Sequence, residues 1–241
     1  MVSKNQLKLI TSLHQKKYRN KYNLFVAEGI KVINEYLDAG FELHQLFATS
    51  FDAFHSEGKN EVEITETELK KISRLNSPNV GVALFKIPAA KPIVKDKLIV
   101  GLDEVNDPGN LGTIIRLCDW FGVRQLVCSE NTVDCYNPKV IQATMGSLSR
   151  VNVSYISLKT FLTEAELPIF AAMMDGENVY EAHLPENGIL IMGNEANGIS
   201  EEILQAVTKS ISIPRFGDLQ QTESLNVATA TAILLSEFKR R

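Results

Sequence analysis

The sequence predicts an α/β protein of two domains, the second built on an open, mostly parallel sheet. Three observations carry this. Short apolar runs alternate with amphipathic stretches along the chain, the pattern of strands alternating with helices. The run KLIVGLD (97–103) is continuously apolar, as strands covered on both faces are. Between the halves lies IPAAKPIVKDK (87–97), with two prolines, three lysines and no periodicity, which reads as a linker. At 241 residues and 44% apolar content, the chain is long enough for two cores.

In the first half, residues 5–13 place Leu7, Ile10 and Leu13 at three-residue spacing, a short amphipathic helix with Lys4 and Lys8 on its polar side. The run HQKKYRNKY follows. Its Lys16, Lys17, Arg19 and Lys21 are cations for phosphate, and Tyr18 and Tyr22 offer rings for bases. A solvated turn between elements has the same composition, so the run alone leaves both readings open. Next come a strand at 24–27, a helix at 28–39 with its stripe of Ile30, Ile33, Tyr36 and Leu37, and Gly40 to stop it. A strand at 43–49, a helix at 66–73 and a strand at 80–86 complete an α/β sandwich over residues 1–90.

The second half continues after its first strand with EVNDPGNLGTIIRLCDWFG. Asp107, Pro108 and Gly109 predict a turn, Asn110 an N-cap, and Ile114, Ile115, Cys118 and Phe121 a helix ended by Gly122. Strands are predicted at 125–128, 151–156, 168–173, 188–192 and 211–214, with helices at 138–146 and 158–165. The last helix, 225–238, is apolar nearly all round, so it is predicted to be buried on more than one side. Open parallel sheets bind ligands where loops leave the carboxyl ends of the strands.

Composition excludes several classes. No run approaches the length of a membrane span, and the first residues lack the apolar core of a signal peptide, so a cytoplasmic protein without a membrane partner is expected. Cys118, Cys128 and Cys135 have no metal-type spacing; they read as small buried side chains, and no metal is expected. Net charge is −4, yet the first 27 residues hold six Lys and Arg and no Asp or Glu. All 29 acids therefore lie further along, with the other 19 basic residues. A local basic face on an otherwise acidic protein points to a phosphate-bearing partner.

Three predicted loops are polar and glycine-rich: 106–116, 193–200 (GNEANGIS) and 215–226. No GxGxxG or GxxxxGK[ST] occurs, which leaves a dinucleotide or triphosphate cradle unsupported. Taken singly, GNEANGIS also reads as a turn on Asn197-Gly198, and 110–116 as a capped helix with an exposed Arg. Taken together, NLGTIIR (110–116), IMGNEANGIS (191–200) and IP…SLNVATATAILLSE (213–237) resemble the three motifs of the SpoU/TrmH branch of the SPOUT RNA methyltransferases, over residues 98–241. The segment FVAEGIKVINEYL (25–37) is similar to the L30e-like substrate-binding domain that precedes the catalytic domain in some members.

The resemblance implies a trefoil-knotted catalytic domain, S-adenosylmethionine as cofactor, a ribosomal or transfer RNA substrate methylated on a ribose 2′-OH, and a homodimer packed partly through the last helix. By motif position, it implies cofactor contacts at Ala172, Gly193, Ile213, Ser224 and Leu225. The family's essential arginine falls on Arg116, and the polar residues that orient it and the ribose fall on Asn110, Glu195 and Asn226. An ion pair between Arg116 and Glu195 would fix the guanidinium. One departure stands out: RFGDLQQTE (215–223) is a few residues longer than the loop usual in the family, which bears on the cofactor side. Two other readings remain. One is an RNA-binding module that kept the fold without turnover, against which the four polar motif residues weigh. The other is a small-molecule enzyme, which leaves the acid-free first 27 residues unexplained.

Overall fold

The computed structural model describes residues 1–78, 80–219 and 224–240. The chain divides into two compact units: residues 1–90 with 134–149, and residues 91–133 with 150–241.

The first unit opens with α1 (Lys4–Ser12), started by a capping box in which Ser3 and Gln6 each satisfy the other's backbone N–H. The basic run that follows is itself helical, α2 (Lys16–Tyr22), ended by Asn23 in the left-handed region. Then come β1 (Leu24–Glu28), α3 (Ile30–Asp38), β2 (Leu43–Ala48), β3 (Glu61–Glu63), α4 (Glu66–Ile72) and β4 (Gly81–Lys86). Gly40, at φ +74°, stops the α3 segment as its sequence position predicts. The four strands form a sheet in the order β1-β4-β2-β3, antiparallel except for β2 with β3. Every residue of β1 is buried, because both sheet faces are covered. Leu24 and Val26 join Ile10, Leu13, Leu69 and Ile72 on one side. Phe25 packs with Tyr36, Phe41, Phe85 and Tyr136 on the other.

The second unit begins with β5 (Leu98–Leu102), α5 (Pro108–Trp120) and β6 (Gln125–Cys128). The chain then contributes α6 (Pro138–Thr144) and a 3-10 turn (Ser147–Ser149) to the first unit. There Tyr136 stacks within 5.0 Å of Phe25, and burial pushes its phenol pKa upward. Back in the second unit come β7 (Asn152–Tyr155), α7 (Leu158–Thr163), β8 (Ile169–Asn178), β9 (Gly188–Met192), α8 (Glu201–Leu204), β10 (Lys209–Ser212) and α9 (Val227–Lys239). The six strands run β10-β8-β9-β5-β6-β7, and every neighbouring pair is parallel. One face is covered by α7 and α8, with Leu158, Leu162, Ile199 and Ile203 on Ile99, Ile169 and Ile189. On α5, Ile114, Ile115 and Cys118 are buried, and Phe238 of α9 meets Phe170 of β8 edge to face. Burial raises the Cys118 thiol pKa to about 12, and Asp119 adds to the shift. The polypeptide from β10 to α9, on which the expected threading of the chain end depends, includes residues 220–223, outside the described residues.

Three local expectations change. The N-cap of α5 is Asp107, whose Oδ1 accepts from Asn110 N at 2.8 Å with Pro108 at the first helical position, so Asn110 lies inside the first turn. The strand read at 168–173 extends to Asn178, and that read at 211–214 occupies Lys209–Ser212. Their mutual register jumps between Ser210↔Ala171 and Ile211↔Glu177, lifting residues 172–176 out of the ladder. Two short elements, β3 and α8, carry no sequence signal of their own.

Candidate functional site

Parallel order puts the carboxyl ends of β10, β8, β9 and β5 side by side, and the candidate residues lie there. Ala172 is half-buried where β8 leaves β9. Gly193 follows β9 directly, and Ile213 follows β10. Leu225, 49% exposed, and Ser224 precede α9. A Cβ on Gly193 would lie 2.3 Å from the Gly198 carbonyl carbon, so glycine alone fits this close approach.

Beside them, three loops are tied by one hydrogen-bonded chain. Asn226 caps α9, its Oδ1 accepting from Ala228 N at 3.0 Å and Thr229 N at 3.2 Å. That fixes the carboxamide, so its Nδ2 faces Asn110 and donates to Oδ1 at 2.9 Å. Asn110 Nδ2 in turn donates to Glu195 Oε1 at 2.9 Å. Each amide has its oxygen towards a donor and its nitrogen towards an acceptor, so the network has one consistent direction. Glu195 also accepts from the backbone N–H groups of Asn106 and Asp107, both at 3.4 Å.

Arg116 lies further along α5 and is exposed. Among the described residues it makes no ion pair, so the expected pairing with Glu195 is not formed; the Glu195 carboxylate is occupied by Asn110 and the two amides instead. Asn110, Glu195 and Asn226 are thus brought together, with Arg116 held apart from their bonds. Sequence reasoning missed what holds the 193–200 loop: the side chains of Asn194 and of Asp103, whose buried carboxylate accepts from Ser200 N at 2.8 Å. Adjacency of Asn194 to Glu195 in GNE was the available signal.

In the first unit, Lys16, Lys17 and Lys21 are exposed on α2. The Tyr18 and Tyr22 rings stack at 6.3 Å, with Lys17 over Tyr18 and Lys21 over Tyr22. Arg19 does not share their position. It is 2% exposed, donates from Nε to Asp134 Oδ2 at 2.9 Å and from Nη1 to Leu13 O at 2.8 Å, and so is removed from the set available to phosphate.

A six-stranded parallel sheet with Asn226, Asn110 and Glu195 joined by hydrogen bonds at its strand ends agrees with the architecture of SpoU-type methylases. The profile of the SpoU rRNA Methylase family matches residues 97–236, and that of the MRM3-like substrate binding domain matches residues 4–83. The chain belongs to the SpoU rRNA methylase family. It is 29% identical to the 23S rRNA (guanosine(2553)-2'-O)-methyltransferase RlmP of Bacillus subtilis, over 98% of this chain and 97% of that protein. A putative RNA methyltransferase of the TrmH family from Porphyromonas gingivalis superposes with a TM-score of 0.91 at 38% identity, covering 100% of this chain and 99% of that one. An AdoMet-bound rRNA methyltransferase from Sinorhizobium meliloti superposes at 0.88 with 29% identity, covering 100% and 97%.

Proposed function

We propose that this chain transfers a methyl group from S-adenosylmethionine to a ribose 2′-oxygen of ribosomal RNA, at the cluster of Asn110, Arg116, Glu195 and Asn226. The observation that carries the reading is the Asn226–Asn110–Glu195 chain, together with an exposed arginine further along the helix that holds Asn110, which makes no ion pair among the described residues. The family membership and the relatives above support it.

The cofactor, when bound, supplies an electrophilic methyl on a sulfonium cation. Ala172, Gly193, Ile213, Ser224 and Leu225 would hold it, the three apolar side chains flanking the adenine and Gly193 admitting it close to backbone. Arg116 keeps its proton in water, so it is a binder rather than a base. Its planar fork suits a phosphate oxygen pair, and holding phosphate and ribose in line with the methyl accounts for several powers of ten in rate. Asn110 has one Nδ2 hydrogen committed to Glu195, leaving the other to meet the ribose. Lys16, Lys17 and Lys21, with Tyr18 and Tyr22, form the RNA-holding face of the first unit, in the cytoplasm where ribosomal RNA is found.

The working form is a homodimer. On α9, Val227, Ala228, Leu234, Leu235 and Phe238 are covered while Ala230, Ala232 and Ile233 stay half-buried, and these part-open apolar side chains support a second copy as the partner. The test is incubation with ribosomal RNA and methyl-labelled S-adenosylmethionine, followed by alkaline hydrolysis. Label in alkali-resistant dinucleotides is expected, since a methylated 2′-oxygen cannot cleave the chain; label released with bases or mononucleotides contradicts the reading.

A further inference from the structure

The carboxylate of Glu195 sits on an exposed loop, yet it receives the backbone N–H groups of Asn106 and Asp107 from the loop after β5 and the Asn110 side-chain amide from the first turn of α5. The side chain of the preceding residue, Asn194, bonds on both sides of this contact. Asn194 Oδ1 accepts from Ala196 N at 2.9 Å and Asn197 N at 3.0 Å, which curls the loop back on itself. Backbone bonds between Asn194 and Gly198, 2.8 and 2.9 Å, close the curl. Its Nδ2 leaves the loop altogether and donates to the Glu104 carbonyl at 2.6 Å.

Glu104 is held for this contact. Its backbone is in the left-handed region, φ +55°, which costs energy for a residue with a Cβ. Its N–H donates to Ser129 Oγ at 2.9 Å, and its Oε1 accepts from Asn131 Nδ2 at 2.7 Å, so the conformation is fixed from both ends. The Glu104 carbonyl is thereby a rigid acceptor two residues before Asn106, the first amide that Glu195 receives.

We infer that Asn194 is a positioning residue: by bonding its own loop and the Glu104 carbonyl with one carboxamide, it sets the distance at which Glu195 meets Asn106, Asp107 and Asn110. The role of Glu195 and Asn110 in methyl transfer rests on the reading above; the coupling of Asn194 to Glu195 does not. Misplacement of a reacting constellation by about 1 Å costs on the order of 100-fold in rate. Asn194→Ala should therefore lower kcat by about tenfold to a hundredfold, with KM for RNA changed less than kcat.

The deciding experiment has two arms. In a double-mutant cycle, Asn194→Ala in a Glu195→Ala background should lower the rate by less than about twofold, because the residue it positions is already gone. Fully multiplicative losses would overturn the inference. In 1H–15N spectra, Asn194→Ala should move the backbone amides of Asn106 and Asp107 and the Asn110 side-chain amide in the same direction as Glu195→Ala does. None of these groups bonds to Asn194. Unmoved resonances would overturn the inference whether or not the chain methylates any RNA tested. Should Asn194→Ala fail to fold, Asn194→Asp keeps the volume and the Oδ1 acceptor while replacing the donor to Glu104 by an anionic oxygen that the carbonyl repels, and the same two outcomes decide. Wild-type protein inactive on every RNA would count against the proposed function alone, with the spectra still deciding the coupling.

Discussion

In the first unit, the Arg19 guanidinium is enclosed by Asp134 and the Leu13 carbonyl; in the second, Arg116 stands exposed on α5, with no ion pair among the described residues. The two side chains are chemically identical, and their surroundings are opposite. A buried guanidinium must have its donors met, so Arg19 serves the fold by binding α2 to the segment 134–149. An exposed one is free to meet an anion that arrives. The neighbours on α2 repeat the lesson within a single helix, where Lys16, Lys17 and Lys21 face solvent and Arg19 faces inward.

Breaking the Arg19 side of this comparison should have the largest effect on stability. Asp134→Ala leaves a buried cation without its partner, which typically costs about 3–5 kcal/mol. Urea unfolding should show the loss, and a midpoint unchanged from wild type would mean that Asp134 is not needed to hold Arg19. Charge reversal of both Lys16 and Lys17 sharpens the contrast within α2. It should weaken ribosomal RNA binding at low salt by about tenfold and flatten the dependence on salt, while unfolding is little altered. Unchanged affinity would move the RNA-holding face elsewhere.

The smallest expected effect concerns His14, which lies beside Arg74 and Arg19. Burial, then Arg74, then Arg19 lower its pKa below the ordinary 6.5. The unfolded chain therefore binds the proton more readily, and stability should decline as pH falls through 6.5 towards the lowered value, then level off. His14→Gln should remove that part of the decline; an identical pH profile in the variant would assign it to other groups.

Much of this architecture was legible in residue pattern, and the exceptions have physical causes. β6 and β9 occupy the residues predicted, Gln125–Cys128 and Gly188–Met192, because buried parallel strands are short, largely apolar runs bounded by turns. β3, Glu61–Glu63, has two acids in three residues and sits at a sheet edge, where pairing rather than apolarity makes the strand. The start of α5 differs because Asp107-Pro108-Gly109 has the composition of a turn as well as that of an N-cap followed by Pro at the first helical position. The site was legible through motif resemblance, not through spacing: Asn110 lies 85 residues from Glu195 and 116 from Asn226. The burial of Arg19 had no local signal, since its partner is 115 residues away and composition cannot tell a paired cation from a waiting one.

The proposed role of Arg116 in meeting RNA is tested most directly by single-turnover methyl transfer with Arg116→Ala. The rate should fall by at least about 100-fold, the scale seen when one preorganised electrostatic contact is removed, with S-adenosylmethionine binding and the unfolding midpoint as in wild type. Transfer at the wild-type rate would contradict the account, as would a loss of activity matched by a loss of fold.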